Sequence, residues 1–243
     1  MTRVVLPLLL AASTLVAAVA PASREATSAA QATQATTPGG DQFLDGIGET
    51  ALIARYAFNG TAEDSSRNQL HGTVRGAGGV FVQDASGGQV LLLTGDGSHV
   101  TLPADALAGE DAITVAGWLY LPTGASGPIF DFGQGPATRL HALVDAHGFR
   151  AVAVVDGQIR GETPGAPIVV NQWRHVVVVL DPASRTLTTY LDGARAGQAT
   201  SVDVTPAHLV PQGSPTTRLL LGRTQDDTAP SLHARLRDVR LYR

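Results

Sequence analysis

Short segments in which apolar and polar residues alternate follow one another through most of the chain. Ile113–Leu121 places isoleucine, valine and leucine on one face and threonine, alanine, tryptophan and tyrosine on the other. This period of two predicts a β-strand with both faces partly covered. Trp173–Leu180 loses its alternation after His175 and becomes continuously apolar, which is typical of a central strand buried on both faces.

Turn residues separate these segments. Asp192-Gly193 is the strongest turn signal and predicts a type I′ hairpin between Leu187–Leu191 and Ala194–Ala199, because both central residues of that turn need positive φ. Further strands are predicted at Ile53–Phe58, Gly72–Val74, Val80–Val82, Val90–Leu93, His99–Leu102, Ile129–Phe132, Leu140–Val144, Phe149–Val155, Arg218–Leu221 and Ala234–Tyr242. So many short strands at this spacing indicate an all-β sandwich or barrel.

Helical periodicity is weak everywhere. No stretch of ten residues holds a convincing helical period, and only Ala104–Leu107 and Pro206–Leu209 are predicted to form single helical turns.

The first forty residues differ from the rest. Residues 1–22 combine Arg3, an apolar run from Val4 to Ala20 and an Ala-Pro-Ala triplet, which predicts a secretory signal peptide cleaved after Ala22. Residues 23–42 are rich in alanine, threonine and glutamine and predict a disordered linker. Residues 43–243 then form one domain, and the mature protein is expected to be secreted and monomeric.

Composition and charge exclude several structural and functional classes. The chain has no cysteine, so disulfides cannot stabilise it. The formal net charge is −4 and the isoelectric point about 5.9. Because no basic patch is visible, nucleic acid is not an expected partner. No second apolar run is long enough for a membrane span.

Several motifs occur in a characteristic order. They are Tyr56-x-Phe58-Asn59-Gly60, Glu63–Asn68, His71-Gly72, Leu93–Pro103, Ile113–Trp118, Trp173–Val176, Thr189–Gly193, Leu220–Arg223 and Leu236–Tyr242. The ordered set resembles the laminin-G-like (concanavalin A-like lectin/glucanase) jelly rolls of secreted bacterial proteins, over about residues 51–243. The resemblance implies a two-sheet antiparallel sandwich in which the first and last strands are neighbours. It also implies an accessory module of a glycoside hydrolase, similar to those that precede β-L-arabinofuranosidase-type enzymes.

The chain departs from the family at a few positions. Asn59 and Arg237 stand where relatives most often carry aspartate, and Arg67 replaces a usual glycine. The chain also ends directly after the last strand, where relatives continue. We therefore expect either a separated amino-terminal module or a gene that ends early.

A calcium site is predicted at Asp64, Asn68 and Asp238. Calcium takes oxygen ligands, and the opening loop is rich in Asp, Ser and Asn. The resemblance implies that this loop meets the closing strand, where Asp238 lies. In the alternative interpretation Asp64 and Asn68 form a turn through side-chain hydrogen bonds, and Asp238 pairs with an arginine such as Arg55.

The aromatic residues suggest core packing. Trp118 and Trp173 lie within apolar strands, so we expect them in the core, with Trp173 and Val177 pointing inward, rather than as sugar-stacking platforms. Tyr120 and Phe149 are the remaining platform candidates. His175 is likewise expected to be a core histidine.

Catalysis is not expected. A retaining glycosidase needs two carboxyl groups about 5 Å apart. After the linker the glutamates are Glu49, Glu63, Glu110 and Glu162, and none has an acidic partner two or four residues away inside a strand. The sequence therefore predicts a secreted, non-catalytic module. The family resemblance, together with the export signal, implies that its ligand is a polysaccharide or other glycan. The alternatives are a structural or protein-interaction module without sugar affinity and, third, a free-standing glycosidase.

Overall fold

The computed structural model describes residues 50–85 and 87–243. The predicted signal peptide, the predicted linker and the first residues of the predicted domain lie outside the described residues. No helix in the described part of the chain is long and apolar enough to cross a membrane.

Fifteen strands and one short helix are described. The strands are β1 (Leu52–Tyr56), β2 (Thr73–Arg75), β3 (Val80–Gln83), β4 (Gln89–Thr94), β5 (His99–Leu102), β6 (Ile113–Tyr120), β7 (Gly127–Gly135), β8 (Thr138–Asp145), β9 (Gly148–Val155), β10 (Gln158–Glu162), β11 (Trp173–Asp181), β12 (Thr186–Leu191), β13 (Ala194–Thr200), β14 (Arg218–Leu221) and β15 (His233–Tyr242). The helix, α1, is Pro206–Leu209 and matches one of the two predicted turns. The other, at 104–107, is a turn without helix.

The strands form two antiparallel sheets, as expected for a jelly-roll sandwich. The first sheet has the order β13-β12-β11-β6-β15-β4-β3, with β1 also paired to β15. The second has the order β10-β9-β8-β7-β14-β5-β2. The predicted neighbourhood of the first and last strands is confirmed, since Arg55 of β1 lies opposite Arg240 of β15. Asp192 and Gly193 have φ values of 50° and 80° and join β12 to β13, so the predicted hairpin is confirmed.

The core lies between the inner faces of the two sheets. Ile113, Val115 and Leu119 of β6 point into it, and Phe130 and Phe132 of β7 meet them from the second sheet. The two phenylalanine rings are 4.7 Å apart. This burial removes large apolar surfaces from water, the main favourable contribution to folding.

The expected inward placement of Trp173 and Val177 is wrong. On β11 the buried residues are Val176, Val178 and Leu180, whereas Trp173 and Val177 are half-buried on the outer face of the first sheet. The strand keeps its period of two, but valines occupy both of its faces. The continuous apolar run in the sequence therefore does not indicate which positions face inward.

Three further aromatic assignments also change. Trp118 and His175 are half-buried on the outer face rather than in the core, with ring centroids 5.1 Å apart. Phe149 is fully buried between the sheets and cannot be a binding platform. Tyr120 does lie on the outer face, as its alternation with Leu119 predicts.

Candidate functional site

The opening loop is organised by the carboxylate of Asp64. Its two oxygens accept hydrogen bonds from the main-chain nitrogens of Arg55 (2.8 Å), Ser66 (2.8 Å) and Leu70 (2.9 Å), and from the Ser66 hydroxyl (2.7 Å). The main-chain nitrogen of Asp64 donates to Nδ1 of His71. The side chain therefore closes a turn, because a carboxylate with neighbouring main-chain donors stabilises that conformation.

The other two predicted ligands also have protein partners. Asn68 donates from Nδ2 to the carbonyl of Ile53 at 2.8 Å. Asp238 accepts from Nε of Arg55 at 2.8 Å and from an NH2 group of Arg240 at 2.9 Å. Burial alone would raise the pKa of Asp238, but the hydrogen bonds from Arg240 and Arg55 outweigh it and hold the pKa below its ordinary value.

The opening and closing segments meet, and Arg55 joins them. Its main-chain nitrogen bonds Asp64, and its guanidinium bonds Asp238. Among the described residues no group of three or more His, Cys, Asp or Glu is arranged to hold a metal ion. Calcium binding by Asp64, Asn68 and Asp238 stays a prediction.

A different cluster occupies the outer face of the first sheet. Trp118, Tyr120, Trp173, Arg235 and Arg237 define what we call the aromatic–arginine face. Strand register places them in two adjacent rows, because Tyr120 lies opposite both Trp173 and Arg235, while Trp118 lies opposite Arg237. Side chains directly opposite one another on neighbouring strands are close enough to interact.

A guanidinium group lies close to each aromatic ring of this face. Arg237 lies 4.7 Å from the ring centre of Trp173 and 5.7 Å from that of Trp118, and Arg235 lies 5.2 Å from that of Tyr120. Tyr120 and Trp173 meet edge to face at 5.7 Å. Such cation–π contacts hold each guanidinium in a fixed position above an aromatic surface.

The turn between β3 and β4 fixes one side of this face. The Asp84 side chain is only 6 % exposed and accepts a hydrogen bond from Nε1 of Trp173 at 3.4 Å. Its carboxylate also lies 3.9 Å from Arg235 and 3.8 Å from Arg237. A buried carboxylate needs such partners, so Asp84 holds the turn against the two arginines.

A shallow depression of about 410 Å³ adjoins the aromatic–arginine face. It is lined by Arg55, Ala57, Asn59, Gly88, Gln89, Trp118, Arg237 and Asp238. The main-chain nitrogen of Gln89 donates to Oδ1 of Asn59 at 3.1 Å and so ties its two bordering loops together. An aromatic wall with amide, guanidinium and carboxylate groups suits a ligand that is polar at its edge and apolar on its face.

Most residues of this depression were not predicted from the sequence. In the sequence, Arg237 and Asn59 stand out only as departures from the family pattern. Gln89 carries no distinguishing signal. The usable signal was the spacing Arg235-x-Arg237 on the last strand, which matches Trp118-x-Tyr120 on β6. Both pairs have the strand period and so share one face with their own partner.

A second polar cluster lies on the second sheet. Asp131 is fully buried, and its Oδ2 accepts from Arg139 at 2.8 Å and from the main-chain nitrogen of Gln225 at 3.0 Å. Within the described residues its Oδ1 has no hydrogen-bond partner. Burial raises the pKa of Asp131 to about 6, and burial also lowers the pKa of His141, its neighbour on β8, to about 3.

Comparison with known proteins identifies the superfamily to which this fold belongs. The family model Laminin_G_3, described as the concanavalin A-like lectin/glucanases superfamily, matches residues 94–243. The chain belongs to this superfamily. The laminin-G-like resemblance of the ordered motifs is thereby confirmed. No curated protein matches the chain at a significant level.

Solved structures share the fold at low identity. Domain 4 of AbnA, a GH43 extracellular arabinanase from Geobacillus stearothermophilus in complex with arabinotriose, has a TM-score of 0.55 and 20% identity over 79% of this chain and 91% of that one. Trypanosoma rangeli sialidase has a TM-score of 0.53 and 18% identity over 85% of this chain, which spans only 33% of the sialidase chain. At these identities the likeness concerns the fold alone.

Proposed function

We propose that this protein is an exported, non-catalytic carbohydrate-binding module that holds a glycan in the depression beside the aromatic–arginine face. The observation that carries the proposal is the lining of that depression. Trp118 offers an apolar surface for a sugar ring, and Asn59 and Gln89 offer amide groups to its hydroxyls. Its volume of about 410 Å³ lies within the usual range of small-ligand sites.

The comparisons support this reading. The arabinanase domain with the same fold was solved with a bound arabino-oligosaccharide and belongs to an extracellular enzyme. An export signal predicted at residues 1–22 agrees with an extracellular role. The superfamily hosts several functions, so the ligand is argued from the site and not from the fold.

A non-catalytic role is supported by the carboxylates. Asp238 is the one carboxylate among the described residues that line the depression, and arginines on two strands bind it. Glycoside hydrolysis ordinarily requires a second carboxyl group beside the first. The depression therefore suits binding and not bond cleavage.

A protein-interaction module is the second candidate. Tryptophan, tyrosine and arginine dominate the binding energy of many protein interfaces, and the aromatic–arginine face is built from these three residue types. A protein partner would use the whole face, whereas a glycan would depend on the depression at one side of it.

The test is a binding measurement on polysaccharides with Trp118→Ala. We expect the wild-type chain to bind at least one of arabinan, xylan, β-glucan or an acidic plant polysaccharide, and Trp118→Ala to bind it about tenfold more weakly, because stacking on an aromatic ring contributes on the order of 1 kcal/mol or more. Ile159→Ala is the matched control, since Ile159 is 62 % exposed on the second sheet. Affinity gel electrophoresis and calorimetry give the readout.

Two results would contradict the proposal. One is a complete failure of the folded wild type to bind any of these polymers, which would favour the protein-interaction module. The other is binding that Trp118→Ala and Ile159→Ala weaken equally, which would place the glycan elsewhere.

A further inference from the structure

We infer that Asn59 is a site of spontaneous deamidation, in which its side-chain amide becomes a carboxylate at the edge of the depression. The modification itself does not depend on glycan binding, whereas its effect on affinity rests on the proposed function. Three features of the loop after β1 carry the inference. They are the residue that follows Asn59, the freedom of the reacting atoms, and a hydrogen bond to the side-chain oxygen.

The sequence places Asn59 directly before a glycine. The chain has three asparagines, and Asn59 is followed by glycine, whereas Asn68 and Asn171 are followed by glutamine. Deamidation begins when the main-chain nitrogen of the next residue attacks the asparagine side chain, and a glycine has no side chain to obstruct that approach. The sequence therefore makes Asn59 the most reactive asparagine of the chain.

The loop also requires glycine at this position. Gly60 has a φ of 88°, which favours glycine, and a Cβ atom there would lie 2.5 Å from Oε1 of Gln89. Asn59 is exposed, whereas Phe58 before it is fully buried in the core. The side chain of Asn59 therefore stands at the surface of an anchored loop, where water and base reach it.

The attacking and leaving atoms are not engaged by the protein. Within the described residues, the main-chain nitrogen of Gly60 and Nδ2 of Asn59 donate to no protein acceptor. Oδ1 of Asn59, by contrast, accepts from the main-chain nitrogen of Gln89 at 3.1 Å. That hydrogen bond stabilises the negative charge that develops on Oδ1 during the attack, as preorganised donors do in acyl transfer.

The reaction needs only base and water. The Gly60 nitrogen loses its proton to base and forms a bond to Cγ of Asn59, and the bond between Cγ and Nδ2 breaks to release ammonia. The product is a cyclic imide. Water then adds to one of its two carbonyl groups and opens the ring to aspartate or isoaspartate. Because a proton must first leave the Gly60 nitrogen, the rate should rise with pH.

The modified residue changes the chemistry of the depression, which Asn59 lines. A carboxylate at this position still accepts from the nitrogen of Gln89, because main-chain N–H groups bind carboxylates strongly. It can no longer donate from Nδ2 to a sugar hydroxyl, and it adds a negative charge beside Asp238 in the same lining. We therefore expect glycan affinity to fall about tenfold, the order expected for the loss of one hydrogen bond.

Trypsin allows the three asparagines to be compared within one protein. Cleavage after arginine yields peptides 56–67, 68–75 and 161–174, each with a single asparagine. The folded full chain is incubated at mildly alkaline and at mildly acidic pH, and mass spectrometry and labelling by isoaspartyl methyltransferase follow each peptide. We expect Asn59 to convert at least about tenfold faster than the other two, because a hydrogen bond to a developing charge alters a rate by that order. The conversion should be slower at acidic pH.

Variants connect the modification to binding of the polymer that the fresh wild type binds best among arabinan, xylan and β-glucan. Asn59→Asp reproduces the product and is expected to bind it about tenfold more weakly. Asn59→Gln keeps an amide on a longer side chain, so its mass and charge should stay unchanged through the same incubation. Asn171→Asp, on the loop before β11 and outside the lining, is the matched control for the added charge. Calorimetry gives the affinities, and circular dichroism confirms that each variant is folded.

The outcomes separate the inference from the proposed function. Equally slow conversion of all three peptides, or conversion of Asn59 only after unfolding in urea, overturns the inference and leaves glycan binding intact. Conversion without a change in affinity, or equal weakening by Asn59→Asp and Asn171→Asp, overturns the link between the modification and binding. Failure of the fresh wild type to bind any polymer overturns the proposed function and the effect on affinity, but not the modification, which the peptides report separately.

Discussion

At the residue scale, the burial of Asp131 disfavours the ionised form of its carboxyl group. Its ordinary pKa of 3.8 is raised to about 6 by burial, so the folded state holds this proton to higher pH than the unfolded chain does. The stability that Asp131 contributes is therefore fully present below about pH 4 and is lost as the pH rises through about 6. Each unit of pKa difference corresponds to about 1.4 kcal/mol.

Asp131→Asn tests this linkage. We expect the wild type to lose about 1–3 kcal/mol of unfolding free energy between pH 4.5 and 7 from this group, and the variant to lack that part of the pH dependence. Urea unfolding of both proteins at the two pH values measures it. Parallel pH profiles for wild type and variant would contradict the assignment. Asp145→Asn is a suitable control, because hydrogen bonds from Arg150 lower the pKa of that carboxyl instead.

At the scale of a single element, β11 shows how burial follows strand period and not side-chain type. Four valines follow one another, yet Val176 and Val178 are buried and Val177 and Val179 are not. We expect Val178→Ala to cost about 1–3 kcal/mol of unfolding free energy, because it leaves a cavity between the sheets. Val177→Ala is the matched control and should cost clearly less. Equal costs in urea unfolding would mean that both faces of β11 are packed alike.

Predictability also differs between elements for physical reasons. The hairpin at Asp192-Gly193 was predictable because a two-residue turn with positive φ has a local chemical signature. The side taken by Trp173 was not, because a run of apolar residues is compatible with either register and only the neighbouring strands decide between them. Asp84 illustrates a further limit, since its contacts with Arg235 and Arg237 join residues far apart in the sequence.

At the scale of the whole molecule, the beginning and end of the described domain are joined at β1 and β15. Arg55 bonds Asp64 through its main chain and Asp238 through its side chain, so one residue links the opening loop to the closing strand. A domain without disulfides depends on such contacts to keep β1 paired to β15. Two kinds of interaction can stabilise this junction between the opening loop and the closing strand. One is the ion pair itself, and the other is the calcium ion predicted at Asp64, Asn68 and Asp238.

Chelation and Asp238→Asn distinguish these two interactions. A calcium ion bound only by the folded state would stabilise it by about 2.7 kcal/mol at a hundredfold excess over Kd, so the calcium prediction requires a lower melting temperature in EDTA and no such response in Asp238→Asn. The ion pair alone predicts that EDTA leaves both melts unchanged. In that case the Asp238→Asn variant should melt at a lower temperature than the wild type, because Arg55 and Arg240 lose a half-buried carboxylate that they share. Scanning calorimetry measures the melting temperatures of the wild type and of Asp238→Asn, each with and without EDTA. Asp203→Asn, on the loop after β13, controls for the loss of one negative charge.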